Sequence, residues 1–324
     1  MNIVCEKTSQ LDVEKFAAQM NLVWEDVIFF INQIKLHFNN NDNIVKIADI
    51  GSCNGDMNRF LRKTFGKNIY TYNVEISKEL NDIARNRDKS NDVCSSNVEY
   101  LVGDALNLPF GQDSLDVLIY SRIFHEIFSY KSDVNQKGFS DSPVFLALNQ
   151  AKKCLKKGGI ILIQDPARPD KYDTDVCLTN FRNSKTSRNI KELLDSDVTQ
   201  LGTEDVLRRF LVEFLPVNGK YKIQPDGYVV PKWVASEFIR HRKFNDSQSH
   251  WNKEICELYG PLSISDYEFI AKKLDLKIKY AGYVRFPQKQ NFYAVNDEFD
   301  IIQNGKKLIQ YRSFPVSMYI TLQK

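Results

Sequence analysis

The chain has 324 residues, 43% of them hydrophobic and 26% charged, with a formal net charge of +3. That balance is ordinary for a globular protein with a buried core and too weakly basic to mark nucleic acid or an acidic membrane as the partner. No apolar run is long enough to span a bilayer, and the opening Met1-Asn2-Ile3-Val4-Cys5-Glu6-Lys7 lacks a basic-then-apolar leader pattern, so a cytoplasmic protein is expected.

Residues 11–38 carry a helical pattern, with Phe16, Met20, Val23, Trp24, Val27, Phe30, Ile31 and Ile34 three or four apart, broken by the polar Asn39–Asn43. Strand-like and helix-like segments then alternate: strand 44–50, helix 56–65, strand 69–74, helix 77–86, strand 98–102, strand 115–120, a short helix at 124–128, helix 143–155 and strand 160–164. Alternation of this kind predicts a parallel sheet covered by helices. After Asp165 the rhythm changes. A helix over 203–215, a hairpin turning at Gln224-Pro225-Asp226-Gly227 and a helix from Pro231 to about Lys243 are expected, with no further buried parallel strand. Alternation returns with helix 265–274 and strands 276–286 and 316–323. The expected organisation is an N-terminal helical segment (1–43), an α/β core (44–165), an inserted, mostly helical lid (166–262) and a completion of the core sheet (263–324).

Six cysteines (Cys5, Cys53, Cys94, Cys154, Cys177, Cys256) are dispersed without metal-ligand spacing, as are the four histidines, so no metal is predicted. Cys53, Cys154, Cys177 and Cys256 read as small buried hydrophobes.

The chemistry-bearing segments fall at successive strand ends. Ala48-Asp49-Ile50-Gly51-Ser52-Cys53-Asn54-Gly55-Asp56 joins the first strand to a helix, and its glycines allow a sharp turn and close approach of a ligand. Glu75 ends the second strand, and its carboxylate can accept both hydrogens of a ribose diol. Asp104 and Ala105 follow the third strand, where Asp104 can accept from an adenine amino group. Open α/β sheets bind ligands at such carboxyl ends. Cys53 and Asp56 stand where a dinucleotide glycine motif needs glycine, which argues against that cofactor.

In these segments the sequence resembles the class I S-adenosylmethionine-dependent methyltransferases, directly over about 44–165 and more loosely over 263–324. Asp49 to Gly55 is similar to the family's D-x-G-x-G-x-G loop, with Cys53 at its middle glycine, and Val74-Glu75-Ile76-Ser77 to its ribose-binding acid. Gly103-Asp104-Ala105 is similar to its adenine site. Leu108-Pro109-Phe110 with Ser114-Leu115-Asp116-Val117 is similar to the approach to its fourth strand. The resemblance implies a Rossmann-like seven-stranded sheet and S-adenosylmethionine held by Asp49, Gly51, Ser52, Cys53, Gly55, Glu75, Ile76, Asp104, Ala105 and Ser121. A side chain at Cys53 is expected to crowd the loop or resist a positive φ.

The implied reaction is an in-line displacement at the sulfonium methyl, which needs alignment and, for a hydroxyl or ammonium acceptor, a base. Three residues are candidates. His125 begins the helix after the fourth strand and is a base or a packed ring over the cofactor. Asp165 closes the fifth strand as a base, a substrate contact or a loop cap. His241 lies beside Arg240 and Lys243, which form an anion-reading patch or a solvated face. An aromatic-rich lid and the absence of an N/D-P-P-Y/F signature in Tyr120-Ser121-Arg122-Ile123 favour a small organic acceptor over nucleic acid. The rivals are an RNA or protein methyltransferase and a catalytically silent binding protein of this fold.

Overall fold

The computed structural model describes residues 24–38, 43–90, 97–130, 139–169, 171–182, 188–284, 298–308, 314 and 317–324. The sheet that dominates it has the order β3-β2-β1-β4-β5-β12-β9. Its strands are β1 (Val45–Ile50), β2 (Ile69–Glu75), β3 (Val98–Val102), β4 (Leu115–Ser121), β5 (Leu155–Pro166), β9 (Lys277–Val284) and β12 (Ser317–Gln323). β1 to β5 pair in parallel, and β12 runs antiparallel between β5 and β9. The Rossmann-like seven-stranded α/β fold expected from the sequence is the fold observed.

Both faces of the central strands are apolar because both are covered. Ala48, Ile50, Leu118, Tyr120, Ile161 and Ile163 pack on one side against the helices Phe124–Tyr130, Ser142–Cys154 and Ile264–Lys273. Val45, Ile47, Val117, Ile119, Ile160 and Leu162 face the other way, against helices Trp24–Phe38 and Asp56–Phe65 through Val27, Phe30, Ile34, Met57 and Leu61. Strand alternation thus assigns each residue to one of two cores. Residues 11–23 of the expected N-terminal helix, with Phe16, Met20 and Val23, lie outside the described residues.

Two boundaries lengthen where packing continues beyond the sequence pattern. The helix expected over 77–86 runs Lys78–Ser90, and the strand expected over 160–164 runs Leu155–Pro166. Cys154 is buried, but Cys53, Cys177 and Cys256 are partly exposed, so the reading of all four as core residues holds only for Cys154.

A second sheet was not expected. Its order is β11-β10-β6-β8-β7, formed by β6 (Asp175–Thr179), β7 (Lys222–Gln224), β8 (Gly227–Pro231), β10 (Asp300–Gln303) and β11 (Lys306–Lys307). Every pairing in it is antiparallel. The β7–β8 hairpin matches the turn read at 224–227; β6 and β10 join it from either side in the chain. Helices Ile190–Asp195, Thr203–Glu213, Lys232–His241 and Gln248–Glu254 belong to the same region. Its aromatic residues pack largely on one another, as Phe210 with Phe214 and Phe238, and Phe299 with Phe181 and Phe238. Among the described residues no helix is long and apolar enough to cross a membrane.

Phe30 is fully buried between the N-terminal helix and the sheet. Phe30→Ala is expected to destabilise the fold by about 3–5 kcal/mol, read as a shift in the denaturation midpoint by circular dichroism.

Candidate functional site

A cleft of about 270 Å³ opens at the carboxyl ends of β1 to β4. The strand order reverses between β1 and β4, so the connections leaving their tips diverge to opposite sides and leave a crevice there. Asp49, Gly51, Ser52, Cys53, Glu75, Ile76, Asp104, Ala105 and Ser121 all line it. Gly55 does not. It lies just behind, at φ +76 before helix Asp56–Phe65, where an added Cβ would sit 3.0 Å from both the Asn73 side chain and the Ala84 Cβ.

The loop after β1 is held by the acid that ends β2. Cys53 N donates to Glu75 Oε2 at 3.0 Å, and Ser77 N donates to Oε1 at 3.0 Å. Gly51 N and Ser52 N both donate to Val74 O. Cys53 takes φ +47, the left-handed conformation that its family position favours glycine for. Burial, with Glu75 nearby, pushes its thiol up to about 12, so the sulfur stays neutral. Asp104 is fixed after β3 by accepting from Leu106 N at 3.0 Å.

Two lining groups suit a polar, cationic ligand. Ser52 Oγ is buried without a hydrogen-bond partner among the described residues. Asp49 is 3% exposed, and burial together with Glu75 pushes its carboxyl up to about 8. A cationic ligand would relieve the repulsion between these acids.

The three proposed bases stand elsewhere. His125, Asp165 and His241 are absent from the cleft lining and almost wholly buried. Asp165 accepts from His125 Nδ1 at 2.7 Å and from its backbone N at 2.9 Å. Burial disfavours the imidazolium, but Asp165, Glu126 and Glu257 outweigh it and push His125 up to about 9. Burial pushes Asp165 upward and His125 pulls it down; its two accepted bonds make it the acceptor of the pair. Tyr259 stacks on the His125 ring at 5.4 Å. His125 is therefore a charged, covered clamp, not the cleft-facing group expected, because its helix turns that face toward β5 and the 254–260 loop.

His241 is packed among Phe210, Phe214 and Tyr259, with its ring nitrogens against the Glu237, Glu254 and Glu257 carbonyls. Burial lowers its pKa, against the pull of Glu237 and those carbonyls. Arg240 is neither an anion-reading nor a solvated side chain: it is 6% exposed and donates to Glu237 Oε1 and Ala167 O. Arg240 is thereby withdrawn from the basic strip read beside His241.

Three charged groups missed in the sequence line the cleft: Asp26, Arg122 and Glu126. Glu126 shares its helix face with Ile123, Ile127 and Tyr130, which also line the cleft, and the i, i+3, i+4, i+7 spacing carries that signal. It makes no hydrogen bond or ion pair among the described residues. Burial, against the opposing pull of His125, and with Glu257 and Glu75 adding to it, raises its carboxyl to about 7. Tyr130 donates to Glu257 Oε1 at 2.7 Å, and burial beside that carboxylate raises its pKa far above the working range, leaving it a neutral donor.

Residues 48–163 match the family model described as a methyltransferase domain. None of the curated proteins matches the chain. Solved structures resemble it remotely. A SAM-dependent methyltransferase from Methanosarcina mazei is 11% identical, covering 88% of this chain and 95% of that one, with TM-score 0.46. One from Aquifex aeolicus is 11% identical, covering 97% and 99%, with TM-score 0.45. A putative sarcosine dimethylglycine methyltransferase from Galdieria sulphuraria is 13% identical, covering 93% and 86%, with TM-score 0.49. The matched segment runs from the second half of β1 through β2, β3 and β4 into most of β5, and so includes the tips of β1 to β4 at which the cleft opens. Residues 48–163 are a methyltransferase domain of the S-adenosylmethionine-dependent kind. The chain is an enzyme of that kind, and its cofactor is S-adenosylmethionine.

Glu75→Ala and Asp104→Ala are each expected to weaken S-adenosylhomocysteine binding by about 1–3 kcal/mol in calorimetry, the cost of leaving a ligand polar group unpaired. The raised His125 pKa links stability to pH. A histidine raised in the folded state stabilises fully below its unfolded value near ~6.5, and that contribution disappears as pH rises through about 9. Denaturation midpoints are thus expected to fall between those pH values, and His125→Asn to flatten the fall.

Proposed function

We propose that this methyltransferase acts on a small organic acceptor, at oxygen or nitrogen, with Glu126 as the general base. Asp49, Gly51, Ser52, Cys53, Glu75, Ile76, Asp104, Ala105 and Ser121 are the residues that hold the cofactor, and residues 166–262 are a lid that packs against the acceptor side. When bound, S-adenosylmethionine supplies a methyl group already activated by the sulfonium charge. What the chain must add is alignment and removal of a proton.

The observation that carries this reading is Glu126, a carboxylate in the cleft with no hydrogen-bond or ion-pair partner among the described residues, next to the apolar Ile123 and Ile127. A carboxyl poised at about 7 accepts a proton near neutral pH and is still acidic enough to release it afterwards. His125 is excluded from that role by its ion pair and cover, and serves instead to hold the Glu126 helix against β5. The 254–260 loop supports the same helix: Leu258 N donates to Ser129 Oγ at 2.9 Å, and Ser129 Oγ donates to His125 O. A small acceptor is favoured over a nucleic acid because Arg122 is the one cation among the described lining residues, too few for a phosphate backbone.

The test uses methyl-labelled S-adenosylmethionine with separated small-metabolite, RNA and protein fractions. Label is expected in the small-metabolite fraction; label confined to a macromolecular fraction contradicts the reading. With the acceptor isolated, Glu126→Gln is expected to lower kcat by about 10²–10⁴ with S-adenosylhomocysteine affinity kept. The wild-type rate should rise with pH through about 7 as Glu126 ionises, and the variant should lack that limb.

A further inference from the structure

The cleft is lopsided in charge. Asp26, Asp49, Glu75, Asp104 and Glu126 line it, and only Arg122 opposes them among the described lining residues. The amino-acid end of S-adenosylmethionine brings a carboxylate of its own. Set among five acids, that group needs a positive partner with hydrogen-bond donors to spare.

Arg122 has the position and the donors. It follows β4 directly, at φ +56, a left-handed conformation that a bulky residue rarely adopts. Its backbone N donates to Gln164 O at 2.7 Å, which fixes the turn into helix Phe124–Tyr130. Two guanidinium nitrogens are already engaged. Nε donates to Gln164 Oε1 at 3.3 Å, and Nη2 donates to Asp26 Oδ2 at 3.0 Å. Asp26 is in turn held by the Tyr319 hydroxyl of β12. Nη1 makes no hydrogen bond among the described residues, and the side chain remains 44% exposed. The guanidinium is thus anchored along one edge with the other edge available.

We infer that Arg122 binds the carboxylate of the cofactor's methionine end, through the guanidinium edge that Asp26 and Gln164 leave unused. This rests on the reading of the cleft as the cofactor site and adds to it the residue that orients one end. Strand order supports the assignment. Glu75, ending β2, and Asp104, just after β3, are the acids for the nucleoside; the tips of β1 and β4 remain for the amino-acid end. There Asp49 is the acid left for the ammonium and Arg122 the cation left for the carboxylate. The N-terminal helix, through Asp26, then becomes part of the cofactor site and not only a cover for the sheet.

The test compares binding of S-adenosylmethionine and decarboxylated S-adenosylmethionine, which differ by that carboxylate alone, by calorimetry without acceptor. Wild-type protein is expected to prefer the carboxylated form. Arg122→Gln should lose roughly tenfold to a hundredfold in affinity for it, while binding of the decarboxylated form changes less than about twofold. Arg122→Lys should recover part of the loss, since charge remains but the forked geometry does not. Equal wild-type affinity for the two forms overturns the inference even if Arg122→Gln does not fold, and so does an equal loss of both in that variant. In either case the cofactor-site reading stands. Failure of wild-type protein to bind either form overturns both.

Discussion

The reversal of strand order between β1 and β4 is the constraint from which the site follows. Because β2 and β3 stack outward from one side of β1 while β4 and β5 stack from the other, the loops leaving β1 and β4 part and leave a crevice over the sheet edge. Glu75 then acts twice. As a ligand-facing acid it lines that crevice, and by accepting from Cys53 N and Ser77 N it ties the β1 loop to the end of β2. A single carboxylate therefore links the shape of the cofactor loop to the chemistry of the cleft.

The acidity of the cleft is consistent with a cationic cofactor and has a cost in its absence. Asp49 and Glu126 both carry raised pKa values because burial and neighbouring acids oppose their ionisation. A positive ligand group beside Asp49 reverses that balance there. The surrounding structure separates the functions of adjacent residues: His125 faces inward, charged and stacked under Tyr259, while Glu126, one position on, faces the opening. Helical geometry places neighbours about 100° apart, and here that rotation divides support from chemistry.

The strand tips were legible in the sequence because buried parallel strands leave continuous apolar runs, and the acids stand where those runs end. The helix after β4 was legible as a helix, but not in its facing: which side meets the cleft depends on the 254–260 loop, remote in sequence. Asp26 was hidden beside the apolar stripe Val27, Phe30 and Ile34, since a carboxylate there reads as a solvent-facing neighbour until Arg122 and Tyr319 are brought to it. Burial pushes its carboxyl upward against that pairing. The small sheet escaped because β7 and β11 are only three and two residues long. Its β6 and β10 come from segments more than a hundred residues apart, so no local pattern announces their pairing. Arg240, read as a surface charge, is buried by its bonds to Glu237 and Ala167, which periodicity alone does not show.

The most direct test of this account is a crystal structure with S-adenosylhomocysteine bound. The adenosine should lie against Glu75 and Asp104 over β2 and β3, and the amino-acid end over the tips of β1 and β4. A ligand seated elsewhere, or one in the cleft with its adenine beside Arg122 and its carboxylate beside Asp104, would contradict it.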